Sequence, residues 1–287
     1  MKNSKEKVSL IIATLNRKFE VELLLKSLVN QTYKNFEVII VDQNTDFLID
    51  ELILEYKNKL DIKHHKILKK NVSFARNYGL KKSIGTILAI PDDDCLYDKY
   101  YLEKIVEFFE ENIDKKFIST KVKDTREFGK KNKDEYCKNY KYVNSYNFLK
   151  TTCAITIFFK KDVLNKIGYL DEELGQGEGV IAMSEDHDFV LKGLKKYKIY
   201  YLESYDVYHP FKLENEIDID YEKKLAYNQA KSYICILNRN HKSPAIKIFR
   251  LINRIIGYYY RVILNDEIRK VIIRSYIKGL KENWNFK

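Results

Sequence analysis

The chain has 287 residues, 45% of them hydrophobic, and carries 52 Lys and Arg against 41 Asp and Glu for a net charge of +11. That length and apolar content support a full core, in one α/β domain with an appendage or in two domains, and 10 Gly and 3 Pro leave no room for a flexible linker or a low-complexity tract. Cys95, Cys137, Cys153 and Cys235 are far apart, with no Cys-x-x-Cys and no histidine pair at zinc spacing, which excludes a disulfide framework and a structural zinc and makes the cytoplasm the expected compartment.

In chain order, the β-branched run at residues 8–13 predicts a first strand; Asn16-Arg17 follows it where a signal peptide would have small residues. Residues 19–30 carry Val21, Leu24, Leu25 and Leu28 at helical spacing, and residues 38–41 predict a second strand. A helix over 47–59, a strand over 62–68, a helix over 73–82 and a strand over 86–90 continue the alternation, which argues for a mostly parallel sheet with right-handed crossovers. Residues 99–112 read as a helix and 116–122 as a strand, with a charged, Tyr- and Asn-rich excursion over 123–150. Residues 153–159 predict a strand, a glycine-rich acidic loop spans 175–179, a helix opens at Ser184-Glu185-Asp186, and 199–202 and 207–210 read as two extended pieces. No apolar run approaches the roughly 20 residues needed to span a bilayer.

Ligands of such sheets sit outside the carboxyl ends of the strands. Thr14, Asn16 and Arg17 follow the first strand, Asp42 and Asn44 the second, and Asp92-Asp93-Asp94 the fourth. Three adjacent carboxylates repel one another unless a cation compensates, and oxygen ligands suit Mg²⁺ or Mn²⁺; the competing reading is an acidic turn ahead of the helix that begins near Asp98. Ser184 is an expected helix N-cap with Glu185, Asp186 and Asp188 in the first turn, and Asp186 is a candidate general base. The preceding loop has Glu178 where a phosphate loop has lysine, so an acidic lid over a neutral acceptor fits it better. His209 is a candidate metal ligand or a core residue, and Arg76 a solvated helix residue or a diphosphate fork. His64 and His65 alternate across a strand and cannot both face one ion.

Taken in order, these segments resemble the family 2 glycosyltransferases of the GT-A fold, particularly bacterial enzymes of capsular and other surface polysaccharides. Residues 8–17 are similar to that family's opening strand and loop, 41–46 to its second strand end, Ala75-Arg76-Asn77-Tyr78-Gly79 to its Ala-Arg-Asn-x-Gly helix, Asp92-Asp93-Asp94 to its Asp-x-Asp motif, Glu185-Asp186 to its Glu-Asp motif and His209 to its late histidine. The resemblance spans about residues 8–210. It implies a Rossmann-like mixed, mostly parallel sheet flanked by helices, with a nucleotide-sugar half over about 1–97, an acceptor half over about 98–215 and a basic helical extension over 216–287. It further implies that Thr14, Asn16, Arg17, Asp42, Arg76, Asp92 and Asp93 bind a nucleoside-diphosphate sugar, with uridine the expected base. Asp94, Asp92 and His209 would hold Mn²⁺ or Mg²⁺, Asp186 would be the base of an inverting transfer, and Glu185 and Glu178 would face a glycan or lipid-linked acceptor. The chain departs from the family at Gln43-Asn44-Thr45, and it lacks the Gln-x-x-Arg-Trp motif of processive synthases, its one tryptophan being Trp284. That points to single additions.

Residues 239–287 hold 12 Lys and Arg against 3 Asp and Glu, so most of the net charge sits there. Lys247, Arg250, Arg254 and Arg261 fall on one helical face, and Lys270, Arg274, Lys278 and Lys281 repeat the pattern. Such stripes are either solvated faces of packed helices or a contact to the anionic inner face of a membrane. The positive charge avoids the aspartate cluster and no nucleic-acid motif is present, which argues against nucleic acid as a partner. A catalytically silent sugar-nucleotide binder or a membrane-associated assembly protein is the alternative to an enzyme.

Overall fold

The computed structural model describes residues 6–137, 139–177, 183–211, 218–240, 251–252 and 266–284. The first half alternates as expected: β1 (Val8–Thr14), α1 (Lys18–Val29), β2 (Phe36–Asp42), α2 (Asp50–Tyr56), β3 (Ile62–Lys66), α3 (Val72–Lys82) and β4 (Ile87–Ala89). Then come β5 (Leu96–Tyr97), α4 (Tyr101–Glu111), β6 (Phe117–Asp124), β7 (Lys141–Val143), α5 (Phe148–Thr151), β8 (Ile157–Lys160), α6 (Val163–Ile167), α7 (Glu185–Leu194), β9 (Ile199–His209), α8 (Ile219–Asn240) and α9 (Asp266–Glu282).

Among the described residues nine strands form one sheet of order β3-β2-β1-β4-β8-β6-β9-β5, with β7 added against β9. β1, β2, β3 and β4 run parallel, whereas β8 is antiparallel to both β4 and β6. The chain winds from β1 outward to β3 and then returns to place β4 on the other side of β1. That reversal opens a crevice at the carboxyl ends of β1, β2 and β4, where the polar segments lie.

Helices cover both faces of the central strands, which is why β1 and β2 are buried along nearly their whole length instead of alternating. Val21, Leu24, Leu25 and Leu28 are the buried stripe of α1. Asn71 caps α3 by accepting from Phe74 N at 2.8 Å. Gly79 lets that helix lie against β1, since a Cβ there would come within 2.4 Å of Ile11 Cγ2.

The two extended pieces expected at 199–202 and 207–210 are one strand, β9, which pairs with β6 on one side across a register shift between Thr120 and Lys121. Its other side receives β7 near Ile199 and β5 near Tyr208. Two short neighbours thus cover a long edge, and each is too short to announce itself in sequence. The excursion at 123–150 supplies one of them. The strand expected over 153–159 begins later, after a single 3₁₀ turn at Ala154–Thr156.

α8 packs on the sheet domain through Ile236, in the same cluster as Phe189 and Leu191, and through Cys235 against Leu174. α9 lies along α8, where Ala226, Ala230, Ile272 and Tyr276 interlock. A Cβ at Gly279 would stand 2.6 Å from Tyr227 O. Lys270, Arg274, Lys278 and Lys281 are exposed on α9, while Lys247, Arg250, Arg254 and Arg261 lie outside the described residues. Among the described residues no helix is long and apolar enough to cross a membrane.

Candidate active site

The site begins where β1 and β2 end. Asn16 takes a left-handed φ of 60°, a conformation asparagine tolerates better than most residues, and its backbone N donates to Asn44 Oδ1 at 2.7 Å. Asn44 in turn donates from N and Nδ2 to Asp42 Oδ1 at 2.8 and 2.7 Å. His64 Nε2 approaches Asp42 Oδ2 at 3.0 Å. Burial alone would raise the Asp42 carboxyl, but the bonds from His64 and Asn44 hold it below its ordinary value. Asp42 is fully buried, and its neighbour Gln43 lines the cavity of the site.

His64 has no site role expected from sequence, yet it meets Asp42. The alternation that keeps His64 and His65 from sharing an ion sends the first to Asp42 and the second to Tyr78, 5.4 Å away between ring centroids. Since β3 is the neighbour of β2, that alternation was the available signal.

Pro91 carries the chain from the end of β4 into the three aspartates. Asp92 Oδ1 accepts from Arg76 Nη2 at 2.5 Å. Asp93 Oδ1 and Asp94 Oδ2 both meet Arg17 Nη1, at 3.2 and 2.6 Å. Asp94 Oδ1 faces His209 Nε2 at 3.3 Å. Burial, aided by the two neighbouring carboxylates, pushes Asp93 up to about 7 against the pull of Thr14 and Arg17. Burial also opposes ionisation of Asp94, but His209 and Arg17 outweigh it and hold that carboxyl low. His209 is raised correspondingly, its burial being outweighed by Asp94.

One ligand atom from each of Asp92, Asp94 and His209 lies within 4.8 Å of the others. Asp94 Oδ1 is buried with no hydrogen-bond donor aligned on it. A buried carboxylate oxygen left in that state, beside a second carboxylate and an imidazole, fits a divalent cation.

Arg76, which the sequence left open as a solvated helix residue, is only 3% exposed. Its Nη1 donates to Glu185 Oε1 at 2.6 Å, so one guanidinium joins the end of β4 to the start of α7. Burial disfavours its charge, yet Asp92 and Glu185 keep the guanidinium firmly protonated. Burial and neighbouring Asp186 push the Glu185 carboxyl up, and Arg76 is the cation that opposes them.

Asp186 is fixed by two backbone donors, Ala154 N to Oδ2 at 2.9 Å and His187 N to Oδ1 at 2.7 Å. The first comes from the 3₁₀ turn before β8, a contact no motif announces. Ser184 does not act as the side-chain cap expected of it; it takes a left-handed φ of 77° and makes no capping bond, so it turns the chain into α7 by backbone geometry instead. Glu178 lies outside the described residues. The adjoining loop is anchored on α3: Val72 N donates to Gln176 O at 3.0 Å, Ser73 Oγ to Leu174 O at 2.6 Å, and Asn71 bridges Gly177.

Arg17, Arg76, the three aspartates, Glu185, Asp186 and His209 line one cavity of about 960 Å³, whereas Thr14, Asn16 and Asp42 are not among its lining residues and the second strand end reaches it through Gln43. Tyr221, Gln229 and Tyr233 of α8 form part of its wall, next to Phe211. Residues of the expected C-terminal extension therefore line the cavity, which their composition did not indicate.

Residues 9–168 match the model of the family described as Glycosyl transferase family 2. The Escherichia coli O-antigen biosynthesis glycosyltransferase WbnJ is 30% identical over 162 residues, covering 55% of this chain and 63% of that protein. The chain spans under a fifth of the length of the first curated relatives it matches, 15 to 18% at 36 to 38% identity. Among solved structures, S. aureus TarS 1-349 in complex with UDP-GlcNAc aligns with a TM-score of 0.61 at 22% identity, over 96% of this chain and 80% of that one. The Pyrobaculum calidifontis mannosyltransferase PcManGT, in complex with GDP-Man and Mn²⁺, aligns with a TM-score of 0.63 at 14% identity, over 99% of this chain and 77% of that one. The structures share the fold, and the family model covers more than half of the chain: this protein belongs to glycosyl transferase family 2 and has the GT-A fold.

Proposed function

We propose that this chain is an inverting, metal-dependent glycosyltransferase that moves a sugar from a UDP-sugar to a hydroxyl of a glycan or lipid-linked oligosaccharide, in the synthesis of a surface polysaccharide. The observation that carries the reading is the convergence of Asp92, Asp94 and His209 within 4.8 Å, in the same cavity as Asp186. WbnJ's role in O-antigen biosynthesis supports the polysaccharide assignment, and the UDP-GlcNAc complex of TarS supports the donor class.

Asp92, Asp94 and His209 would hold the divalent ion, Mn²⁺ or Mg²⁺. When bound, it offsets the charge that develops on the departing nucleoside diphosphate. The protein's own groups do the rest. Thr14, Asn16, Arg17 and Asp42, with His64 and Asn44 behind Asp42, form the nucleotide end. Asp186 takes the proton of the acceptor hydroxyl; its two backbone bonds fix its direction and leave each carboxylate oxygen a lone pair. Among the described residues, the three aspartates and Glu185 of the cavity are paired with Arg17, Arg76 or His209, which leaves Asp186 as the base and favours one in-line displacement. Tyr221, Gln229 and Tyr233 of α8, which line the cavity, would face the acceptor. The division into a catalytic part over 1–215 and an extension over 216–287 is then one of sequence more than of function. The exposed Lys270, Arg274, Lys278 and Lys281 would rest on the anionic cytoplasmic face of a membrane that carries a lipid-linked acceptor.

A thermal-shift panel of UDP, UDP-sugars, GDP and GDP-sugars, each with and without Mn²⁺, tests the reading. Stabilisation by UDP or a UDP-sugar that requires Mn²⁺ and disappears in Asp94→Ala is the expected result. Stabilisation by none of them would overturn it.

A further inference from the structure

We propose that Arg17 is a displaceable internal cation that competes with a divalent ion for Asp94, so that metal and nucleotide diphosphate load the site together. The inference rests on the divalent-ion reading of Asp92, Asp94 and His209.

Two arginines serve the three aspartates, and they differ in kind. Arg76 is 3% exposed and tied to both Asp92 and Glu185. The side chain of Arg17 is 46% exposed, and its ion pairs are to Asp93 and Asp94, through the single atom Nη1. The first is part of the framework; the second can leave into solvent without opening a hole.

Arg17 also stands where a helix does not want it. It occupies the N-cap position of α1 and makes no side-chain capping bond. Ser, Thr, Asp and Asn are the residues that satisfy that position, and a cation there opposes the helix dipole. A local rule broken in this way marks a residue held for another purpose. Here the charge lies 2.6 Å from Asp94 Oδ2, while the other oxygen of the same carboxylate faces His209.

A divalent ion on Asp94 and a guanidinium at ion-pair distance from the same carboxylate repel strongly in a partly buried site. Arg76 stands in the same relation to Asp92, but it is buried and also held by Glu185, so the half-exposed Arg17 is the one that yields as the ion enters. It lines the cavity that holds the aspartates, and its planar fork matches the diphosphate of a donor, which offers it a new anionic partner. Without a nucleotide, the ion must displace Arg17 into water. With one, Arg17 exchanges one anion for another.

The test is a Mn²⁺ titration, followed by the electron-spin resonance of free Mn²⁺, on the wild-type chain and on Arg17→Gln, Arg17→Asn and Arg17→Lys, each with and without UDP. Arg17→Asn supplies a favourable N-cap, so it keeps the test open should the Gln variant fold poorly; thermal melting checks both. Without UDP, the Gln and Asn variants should bind Mn²⁺ at least about tenfold tighter than wild type, and Arg17→Lys, which keeps the charge, should stay near it. With UDP, that advantage should shrink or reverse. Gln and Asn variants that bind Mn²⁺ no tighter than wild type in the absence of UDP would overturn the inference while leaving the metal site standing, provided wild type with UDP binds Mn²⁺ and Asp94→Ala does not. If Mn²⁺ binds to no variant, with or without UDP, both readings fall.

Discussion

Arg76 and Glu185, 109 residues apart in sequence, are joined by a 2.6 Å ion pair, and the same guanidinium grips Asp92 at 2.5 Å. One buried side chain thus sets the first aspartate of the triplet against the helix that carries Asp186. The aspartate cluster and the candidate base Asp186 are thereby held in register through Arg76.

Removing that guanidinium should be costly to the fold. In Arg76→Met, Glu185 is left buried with no cation, and breaking a buried pair on one side costs about 3 to 5 kcal/mol. Urea unfolding should show a loss of that size, and adding Glu185→Leu should recover a good part of it. An unchanged midpoint in the single variant would mean the pair does not bear on stability.

Asp186→Asn separates binding from chemistry. The donor and Mn²⁺ should bind within a few-fold of wild type by calorimetry, while sugar transfer falls by about 10² to 10⁴-fold, the usual contribution of a positioned general base. Near-normal transfer would remove Asp186 from that role.

Glu37 gives a pH prediction independent of the site. This buried carboxylate of β2 is pushed up by burial, but it receives Lys63 at 2.6 Å, Ser9 at 2.5 Å and Ile84 N at 2.8 Å, and these hold it below its ordinary value. A carboxyl depressed in the folded state stabilises above its unfolded value of about 4.3 and ceases to do so as pH falls through the folded value. Glu37→Gln should therefore cost about 1 to 3 kcal/mol at pH 7. That difference should narrow below about pH 4 in a series of denaturation curves. A gap that stays constant down to pH 3 would show that the charge is not what matters.

Gly177→Ala should dislodge the loop that leads into α7. Gly177 has a φ of +104°, and a Cβ there would fall 1.9 Å from Lys70 O. Backbone in that region strains any other residue by about 1 to 3 kcal/mol. The variant should melt at a lower temperature and bind UDP with Mn²⁺ more weakly; wild-type values for both would show that the loop does not support the site.

The alternation from β1 to β4, the apolar stripe of α1 and the acidic run after β4 could all be read from the sequence, because each depends on periodicity or on residues adjacent in the chain. So could the polar character of the three strand ends, since parallel strands direct their carboxyl ends to one side whatever follows. Strand direction beyond β4 could not. β8 runs antiparallel between β4 and β6, and β9 is one strand instead of two, because partners distant in sequence decide both. The roles of charged side chains were hidden for the same reason. Arg76 looks like a surface arginine until Asp92 and Glu185 arrive from 16 and 109 residues away, and His64 looks idle until β3 is laid against β2. Arg17, Arg76, the three aspartates, Glu185, Asp186 and His209, which line the cavity, were legible in the sequence; His64 beside Asp42 and the α8 wall of Tyr221, Gln229 and Tyr233 were not. Only the folded chain shows that Arg76 is built into the core, that Arg17 stays half-exposed and that α8 lines the cavity, because burial and charge pairing depend on neighbours distant in sequence.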